Sequence, residues 1–339
     1  MNKIIKRAKL VAPKKFIIEE VDIPKPALNE VLIKVKACGI CGTDLHAYYG
    51  EHPFISYPIV PGHEFSGIVE KTGEHVVVEP LLTCGKCYNC KIGRYNICND
   101  LKVIGCQTDG AFAQYIAIPI NKVFSIPKDM SFEEATFVEP TAVGIHAIKK
   151  ADNIKGERII IMGAGPIGLI ILQLSKIFGA KEIIITDILN SRLKLAKEFG
   201  ATYAINIREI DLVKWVYDTF GRDGIDKVFE CVGGNQNITI NQAINLTRKG
   251  TKIILIGVFK RSLPIEINLI QDRELEIVGS LVYTSNDFSE AIDLLYKKKI
   301  NVNRLISKVL PLEKIEDAMK MLVEEKERNI KIILKPNDI

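Results

Sequence analysis

The stretch ERIIIMGAGPIGLIILQLSKIFGAKEIIITD, residues 157–187, decides the fold of this chain. It opens on a β-branched run, turns at a glycine-rich segment and closes on a second β-branched run. Strands that are buried on both faces read as such continuous apolar runs. Between them, apolar residues follow the helical period of about 3.6 residues; they are Ile167, Ile170, Ile171, Leu174, Ile177 and Phe178. Gly179 stands where a glycine commonly ends a helix. The stretch therefore predicts a strand–helix–strand unit.

The same alternation continues downstream. Helical patterns occur at 191–200 and 238–250, and apolar strand patterns at 227–233 and 251–259. Such a βαβ series predicts an α/β domain with a doubly wound parallel sheet. The first ~140 residues differ, because short strand patterns there are separated by proline and glycine, which predicts a β-rich domain with little helix.

The glycine turn GAGPIG spans residues 163–168, with Pro166 and Ile167 inside it. It follows a strand and opens a helix, the context in which G-x-G-x-x-G binds a dinucleotide. Gly163 allows the turn, Gly165 lets the backbone approach the pyrophosphate, and Gly168 permits close packing of helix on strand. Asp187 ends the next strand, where a carboxylate binds the ribose hydroxyls and favours NAD over NADP, although nearby Arg192 could blunt that preference. The alternative is a glycine-rich turn with no ligand.

Composition narrows the classes of function. Of 339 residues, 47% are hydrophobic and 26% charged, enough apolar content for a sizeable core. The net charge of +5 is small and its basic residues are scattered, so no nucleic-acid partner is expected. No apolar run reaches the ~18–20 residues that cross a bilayer, and the N-terminal stretch lacks the pattern of a secretory signal. We expect a soluble cytoplasmic protein that does not insert into a membrane.

Four cysteines, Cys84, Cys87, Cys90 and Cys98, fall within the stretch CGKCYNCKIGRYNIC. A disulfide framework, an iron–sulfur site and a metal clip are the alternatives. A long cytosolic chain does not favour disulfides, and the spacing C-x2-C-x2-C-x7-C departs from that of ferredoxins at the fourth cysteine. Four thiolates satisfy a closed tetrahedral Zn²⁺ shell, so the stretch predicts a structural zinc with no open position. Gly85 and Gly93 would let the loop bend around the ion.

A second group of metal-ligand types lies in the β-rich part, in CGICGTDLH (38–46) and PGHEFSG (61–67). A thiolate from Cys41, an imidazole from His63 and a carboxylate from Glu64 would make three zinc ligands and leave a fourth position open, as in catalytic sites. The residues alone leave alternatives open. His63 could be an ordinary buried histidine, and Cys38 with Cys41 could form a redox pair.

Motifs along nearly the whole chain resemble those of the zinc-dependent medium-chain alcohol and polyol dehydrogenases. In order they are GICGTDLH (39–46), GHEFSG (62–67), the four-cysteine stretch, VEPTAVGIHA (138–147) and GAGPIG (163–168). The resemblance implies that Cys41, His63 and Glu64 are ligands of a catalytic zinc. It also implies that Glu139, in VEP, binds that zinc directly or through its water, so that each chain holds two zinc ions.

The resemblance also implies a fold and a domain order. A GroES-like, partly open β-barrel catalytic domain would comprise residues 1–144 and 281–339. A Rossmann domain that binds NAD would be inserted at 145–280. Changes of sequence texture near 145 and 280 agree with these boundaries.

The activity implied is hydride transfer between the CH–OH of an alcohol and NAD. Thr43 would take the proton of the alcohol and His46 would pass it to solvent, because a histidine titrates near neutrality. The alternatives are a polar turn residue and a surface histidine. Asp44 would orient a zinc ligand. The resemblance implies further coenzyme contacts at the positions that match those of the family, namely Pro166, Ile167, Asp187, Arg192, Ile256, Gly257, Val258, Ser280 and Leu281. Of these, Ile256 and Val258 could equally be core residues.

The substrate is where the resemblance to sorbitol dehydrogenases weakens. Ala47 and Val282 stand where those enzymes have an aromatic residue and an arginine, and Tyr283 follows. Loss of the arginine removes a forked donor for hydroxyl groups, so we expect a small polyol or a vicinal diol such as 2,3-butanediol. Sorbitol or another sugar alcohol, L-gulonate and L-threonine are the alternatives. Relatives imply a homo-oligomer, a dimer or a tetramer. Rival classes are a zinc-free reductase and an NAD-binding regulatory protein.

Overall fold

The computed structural model describes residues 3–234 and 237–337. Its strands are β1 (Ile4–Ala12), β2 (Lys15–Asp22), β3 (Glu30–Gly39), β4 (Glu64–Val69), β5 (His75–Val78), β6 (Leu81–Leu82), β7 (Lys102–Val103), β8 (Tyr115–Pro119), β9 (Val123–Ser125), β10 (Arg158–Met162), β11 (Glu182–Asp187), β12 (Tyr203–Asn206), β13 (Lys227–Glu230), β14 (Lys252–Leu255), β15 (Glu276–Gly279), β16 (Ile306–Pro311) and β17 (Lys331–Lys335). Its helices are α1 (Gly42–Tyr48), α2 (Tyr88–Lys91), α3 (Phe132–Ala135), α4 (Val138–Lys150), α5 (Pro166–Ile177), α6 (Asn190–Glu198), α7 (Leu212–Phe220), α8 (Ile238–Leu246), α9 (Ile267–Asp272), α10 (Ser285–Tyr296) and α11 (Ile315–Glu324). Within the described ranges, none of these helices combines the length and the apolar character needed to span a bilayer.

The chain divides into two compact units. One runs to Ala142 and resumes at Thr284, and the other is Val143–Tyr283. The predicted boundaries, after residue 144 and before residue 281, lie two and three residues from these divisions.

The first unit is built on a mostly antiparallel sheet in the order β16-β17-β3-β4-β5-β9, with β8 also paired to β3. Strand β3 lies between β17 and β4, and its last residue, Gly39, is opposite Ile333 on one side and Glu64 on the other. Alternate residues of β3, Ile33 and Val35, are fully buried, as expected of a strand that turns one face to a core. The central strand therefore ends where the candidate metal ligands begin.

The second unit contains the predicted doubly wound sheet. Its six strands are all parallel, in the order β12-β11-β10-β13-β14-β15. The isoleucines of β10 and β11 are almost completely buried, which matches the unbroken β-branched runs of the sequence. The chain reverses its direction of winding between β10 and β13. In open α/β sheets, ligands bind at the carboxyl ends of the strands at such a point.

Helix α5 begins and ends as the sequence predicts. Gly165 caps its N-terminus and Pro166 occupies the first turn, a favoured position for proline. Gly179 follows the C-cap with a φ of 81°, in the left-handed region. The sequence pattern at 238–250 predicts a longer helix than α8, because the backbone becomes extended at Thr247 and the helix ends there.

Candidate metal and dinucleotide sites

The four cysteines of the lobe converge on one point. Their sulfur atoms lie within 4.8 Å of one another, with Cys84 to Cys98 at 3.5 Å, Cys87 to Cys98 at 3.9 Å and Cys84 to Cys90 at 4.0 Å. A tetrahedral zinc with Zn–S bonds of ~2.3 Å requires S–S separations of ~3.8 Å, so the four sulfurs fit the ion. All of the cysteines are free thiols, and the disulfide alternative is therefore wrong.

The backbone of this lobe supports a thiolate at Cys87. Gly85 and Gly93 have φ values of 68° and 78°, the turns that the sequence predicts around the ion. Backbone N–H groups of Asn99 and Cys90 lower the pKa of the Cys87 thiol to about 6. Since zinc binds the deprotonated form of cysteine, donors that stabilise a thiolate also favour the metal.

Cys41, His63 and Glu64 form a second cluster of donors, with one ligand atom of each within 4.8 Å of the others. Cys41 caps the N-terminus of α1 just after β3, and the register of β3 with β4 brings it to the His63–Glu64 pair. His63 and Glu64 are buried. Cys38 is not one of the converging donors, since its side chain is packed in the core of the unit.

The surroundings of this cluster are anionic. Asp44 is fully buried and accepts hydrogen bonds from the backbone of Cys41 at 2.8 Å and of Gly62 at 3.4 Å, so it ties together both ligand-bearing segments. Its Oδ1 lies 3.7 Å from His63 Nδ1. Burial would lower the pKa of His63, but Asp44 and Cys106 raise it well above its usual range. A buried carboxylate this close to three converging donors fits a second group that orients a metal ligand.

Two residues beside this cluster were missed by sequence reasoning. Cys106 is buried, with Sγ 3.9 Å from His63 Nδ1. Lys331, on β17, is buried and forms an ion pair with Glu64 Oε2. Burial would lower the pKa of Lys331, but Glu64 and Cys41 raise it. An isolated thiol and a lysine in an apolar strand carry no local motif, so the sequence offered no signal for either.

Thr43 and His46 lie three residues apart on α1, on one face of the helix. Thr43 is half-buried. The His46 side chain is 33% exposed, with Nδ1 3.8 Å from Glu51 Oε2, so it can exchange a proton with solvent. Glu139 is buried in the first turn of α4, outside the group of three converging donors. Its predicted role at the metal stays a prediction.

The glycine turn of the second unit has the geometry expected of a dinucleotide-binding turn: a left-handed residue, an open backbone face and a close contact of helix with strand. Gly163 has a φ of 96°. A Cβ on Gly168 would lie 1.8 Å from the carbonyl oxygen of Gly163, so only glycine fits there, whereas a Cβ on Gly165 would meet nothing closer than Arg192 Nη1 at 3.9 Å. The open side of Gly165 at the N-terminus of α5 fits a pyrophosphate.

Asp187 is buried at the end of β11 and accepts hydrogen bonds from the backbone of Ala164 at 2.8 Å, Ile188 at 2.7 Å and Leu189 at 3.0 Å. Arg192 Nη1 lies 3.9 Å from Asp187 Oδ2. The Nε atom of Arg192 is buried and has no hydrogen-bond partner among the residues that the structure describes. The turn, the carboxylate and the arginine are thus brought together in this unit.

The remaining predicted coenzyme residues follow the carboxyl ends of β14 and β15. Val258 is 46% exposed and Leu281 53% exposed, so the alternative that Val258 is a core residue is wrong. Ile256 is half-buried. The backbone of Gly257 lies close to that of Gly233, since a Cβ added at Gly257 would lie 2.3 Å from Gly233 N. Ser280 Oγ is buried without a hydrogen-bond partner in the described part of the chain. An orphaned hydroxyl beside exposed apolar groups fits a bound ligand.

The chain matches two protein-family models and a known relative. Residues 27–128 match the alcohol dehydrogenase GroES-like domain, and residues 166–297 match the zinc-binding dehydrogenase family. The chain is 37% identical to the sorbitol dehydrogenase of Bacillus subtilis over 335 residues, covering 94% of each protein.

Two solved structures are also similar. The short chain alcohol dehydrogenase (rspB) of Escherichia coli CFT073, complexed with NADH, is 30% identical with a TM-score of 0.90, over 98% of this chain and 99% of that one. The 2R,3R-butanediol dehydrogenase of Bacillus subtilis is 29% identical with a TM-score of 0.89, over 98% of this chain and 100% of that one.

The chain belongs to the zinc-binding dehydrogenases, with an alcohol dehydrogenase GroES-like part. The predicted family and the predicted α/β fold, a GroES-like part with a Rossmann sheet, are confirmed. So is the predicted class of activity, a zinc- and NAD-dependent alcohol or polyol dehydrogenase.

Proposed function

We propose that this chain transfers a hydride between NAD and the CH–OH group of a small secondary alcohol, a small polyol or a vicinal diol such as 2,3-butanediol. The observation that carries the proposal is the convergence of Cys41, His63 and Glu64, with the buried carboxylate of Asp44 beside them. The unit to Ala142 and from Thr284 is the catalytic domain, and Val143–Tyr283 is the NAD-binding domain.

Cys41, His63 and Glu64 hold the catalytic zinc, and Glu139 reaches it directly or through water. When bound, the zinc supplies a Lewis acid that polarises the alcohol oxygen and lowers the pKa of its hydroxyl group. Three protein donors leave room for the substrate, as in other catalytic zinc sites. Asp44 keeps the segments of Cys41 and His63 in register through its backbone hydrogen bonds. Cys84, Cys87, Cys90 and Cys98 hold the structural zinc.

Thr43 and His46 move the proton that the alcohol releases. The Thr43 hydroxyl would accept it near the substrate while releasing its own proton, and His46 would pass that released proton to solvent from its partly exposed position on the same face of α1. A histidine suits this step because its pKa lies near neutrality.

The glycine turn and the groups around it hold NAD, which carries the hydride chemistry. Gly165 and the N-terminus of α5 bind the pyrophosphate. Asp187 binds the ribose and disfavours a 2′-phosphate, with Arg192 beside it. The nicotinamide end is bound by residues after β14 and β15, namely Ile256, Gly257, Val258, Ser280 and Leu281. We place the enzyme in the cytoplasm as a homo-oligomer, a dimer or a tetramer.

The expected substrate follows from two polar or aromatic side chains that this chain lacks. Ala47 and Val282 supply no hydrogen bond where sorbitol dehydrogenases have an aromatic residue and an arginine, which favours a short substrate with few hydroxyl groups. A sugar alcohol such as sorbitol is the second candidate, because the chain is 37% identical to a sorbitol dehydrogenase.

Metal analysis and kinetics of one pair of variants test the proposal. The wild type should contain two zinc ions per chain, and Cys41→Ser should retain one, lose turnover and still bind NAD. The control Cys38→Ala removes a neighbouring thiol outside the donor group and should keep both ions. Turnover by Cys41→Ser at the wild-type rate would refute the catalytic zinc site.

A substrate screen decides between the two substrate classes. Reduction of NAD is measured with 2,3-butanediol, sorbitol, xylitol, L-gulonate and L-threonine. The diol should have the highest kcat/KM, and a preference for sorbitol would support the second candidate.

A further inference from the structure

A loop of eight residues, 50–57, follows α1 on the way to β4. Its start is held by α1, because the backbone N–H of Glu51 donates to the carbonyl oxygen of His46 at 2.8 Å. Its end returns to the same helix, where the Tyr57 hydroxyl donates to the carbonyl oxygen of Ala47. Both ends of the loop are therefore fixed to the helix that begins at the first candidate metal ligand.

The middle of this loop is held by a second segment of the same unit. Gln107 Nε2 donates to the carbonyl oxygen of Phe54 at 3.1 Å, and Gln107 Oε1 accepts from the backbone of Val103 at 2.8 Å. The neighbouring residue is Cys106, with Sγ 3.9 Å from His63 Nδ1. The loop is thus tied to two segments that adjoin candidate metal ligands.

His52 lies in this loop as a half-buried imidazole with a defined orientation. Its Nδ1 accepts a hydrogen bond from the backbone N–H of Phe54 at 3.2 Å, so the neutral ring carries its proton on Nε2. The Phe54 ring packs edge-on against it, at a centroid distance of 6.1 Å and an angle of 71°. Within the described ranges, no group pairs with His52 Nε2. The loop therefore presents one oriented N–H donor that the protein itself does not use.

The charge of His52 differs from that of the predicted proton carrier, His46. Burial lowers the pKa of His52, and positive charge at His46 and His63 lowers it further. His52 is therefore neutral at neutral pH. His46, in contrast, has the carboxylate of Glu51 at 3.8 Å to support a proton. The electrostatic action of both histidines on His52 agrees with the position of the loop, which is fixed between α1 and the Cys106 segment.

We propose that His52 is a specificity-determining residue, whose Nε2–H donates a hydrogen bond to a second oxygen of the substrate, on the carbon next to the reacting CH–OH. The inference rests on the proposed function and deepens it, because it names the group by which the site recognises a vicinal diol. A single oriented donor suits a substrate with one further hydroxyl group. A site that donates to a substrate hydroxyl discriminates against the analogue that lacks it, since the donor is then left unpaired.

The test compares two alcohols in three variants. The alcohols 2,3-butanediol and 2-butanol have the same carbon chain, and only the diol has the second hydroxyl group. His52→Ala removes the donor, and His52→Gln supplies an amide N–H in its place. Ser56→Ala is the control, an exposed residue of the same loop. For each variant, kcat/KM is measured with both alcohols, and zinc content and affinity for NAD are measured separately.

His52→Ala should lower the ratio of kcat/KM for the diol to kcat/KM for 2-butanol by about three- to tenfold, the range of one neutral hydrogen bond. His52→Gln should recover most of that ratio, and Ser56→Ala should keep the wild-type ratio. All three variants should retain their zinc and bind NAD like the wild type.

An unchanged ratio in His52→Ala would overturn the proposal. So would an equal loss for both alcohols, because a residue that only shapes the loop affects both substrates alike. Failure of the proposed function is distinguishable, because the wild type itself would then oxidise neither alcohol, and the inference would fall with it.

Discussion

Replacing Gly168 by alanine should destabilise the unit that carries the dinucleotide turn. The new Cβ would lie 1.8 Å from the carbonyl oxygen of Gly163 and 3.4 Å from Ile161 Cγ2. A backbone oxygen cannot rotate away, so helix α5 or the end of β10 must move. Overpacking of this kind costs ~1–3 kcal/mol, and a rigid obstacle places the expected loss near ~3 kcal/mol. At ~2–4 °C per kcal/mol, the unfolding temperature should fall by about 6–12 °C.

Gly165→Ala is the matched control, since it adds the same methyl group three residues earlier. Within the protein that group would meet only Arg192 Nη1, at 3.9 Å, and the φ of −75° at Gly165 is open to alanine. Its unfolding temperature should stay within about 2 °C of the wild type. The methyl group would, however, stand in the way of the pyrophosphate. NAD should therefore bind at least about tenfold more weakly, a loss of ~1.4 kcal/mol.

The assay is thermal unfolding of zinc-loaded protein without NAD, followed by calorimetric titration with NAD. The two variants should separate stability from coenzyme binding. An unfolding temperature of Gly168→Ala equal to that of the wild type, or wild-type affinity of Gly165→Ala for NAD, would contradict these two expectations.

Three further predictions concern the metal lobe and the ribose site. Cys90→Ser should lose one zinc ion, and its unfolding temperature should fall by several degrees while its affinity for NAD is kept, because structural zinc contributes to folding. An unfolding temperature equal to that of the wild type would contradict a structural zinc site in the four-cysteine lobe. Asp187→Ser should lower the preference for NAD over NADP, measured as the ratio of kcat/KM, by about tenfold or more, and an unchanged ratio would count against a ribose contact. Tyr95 is hydrogen-bonded to Glu79 at 2.8 Å and to Ser285 at 2.7 Å, so Tyr95→Phe should cost ~1–3 kcal/mol in urea unfolding at neutral pH. Burial raises the pKa of Tyr95 to about 12. Wild-type stability should therefore fall as pH rises from ~10, the value in the unfolded chain, and a variant with the same pH dependence would refute this assignment.

The sequence by itself determined the features that are encoded within a short stretch. The strand–turn–helix–strand unit, the glycine turn and the four-cysteine lobe each occupy a few tens of residues or fewer. Their physical requirements are local: burial on both faces of a strand, a left-handed φ at Gly163 and four thiols within reach of one ion. Periodicity and spacing therefore predicted them.

Tertiary structure alone decided which distant side chains meet. Lys331 reaches Glu64 only because the sheet order places β17 beside β3 and β3 beside β4. Cys106 comes to His63 through the fold of a loop. The exposure of Val258 depends on where β14 ends and what covers it. Contacts between strands far apart in sequence arise from the order and register of the strands in the sheet. A local apolar pattern carries no information on either. The surroundings of the metal ligands could therefore be described only from the structure.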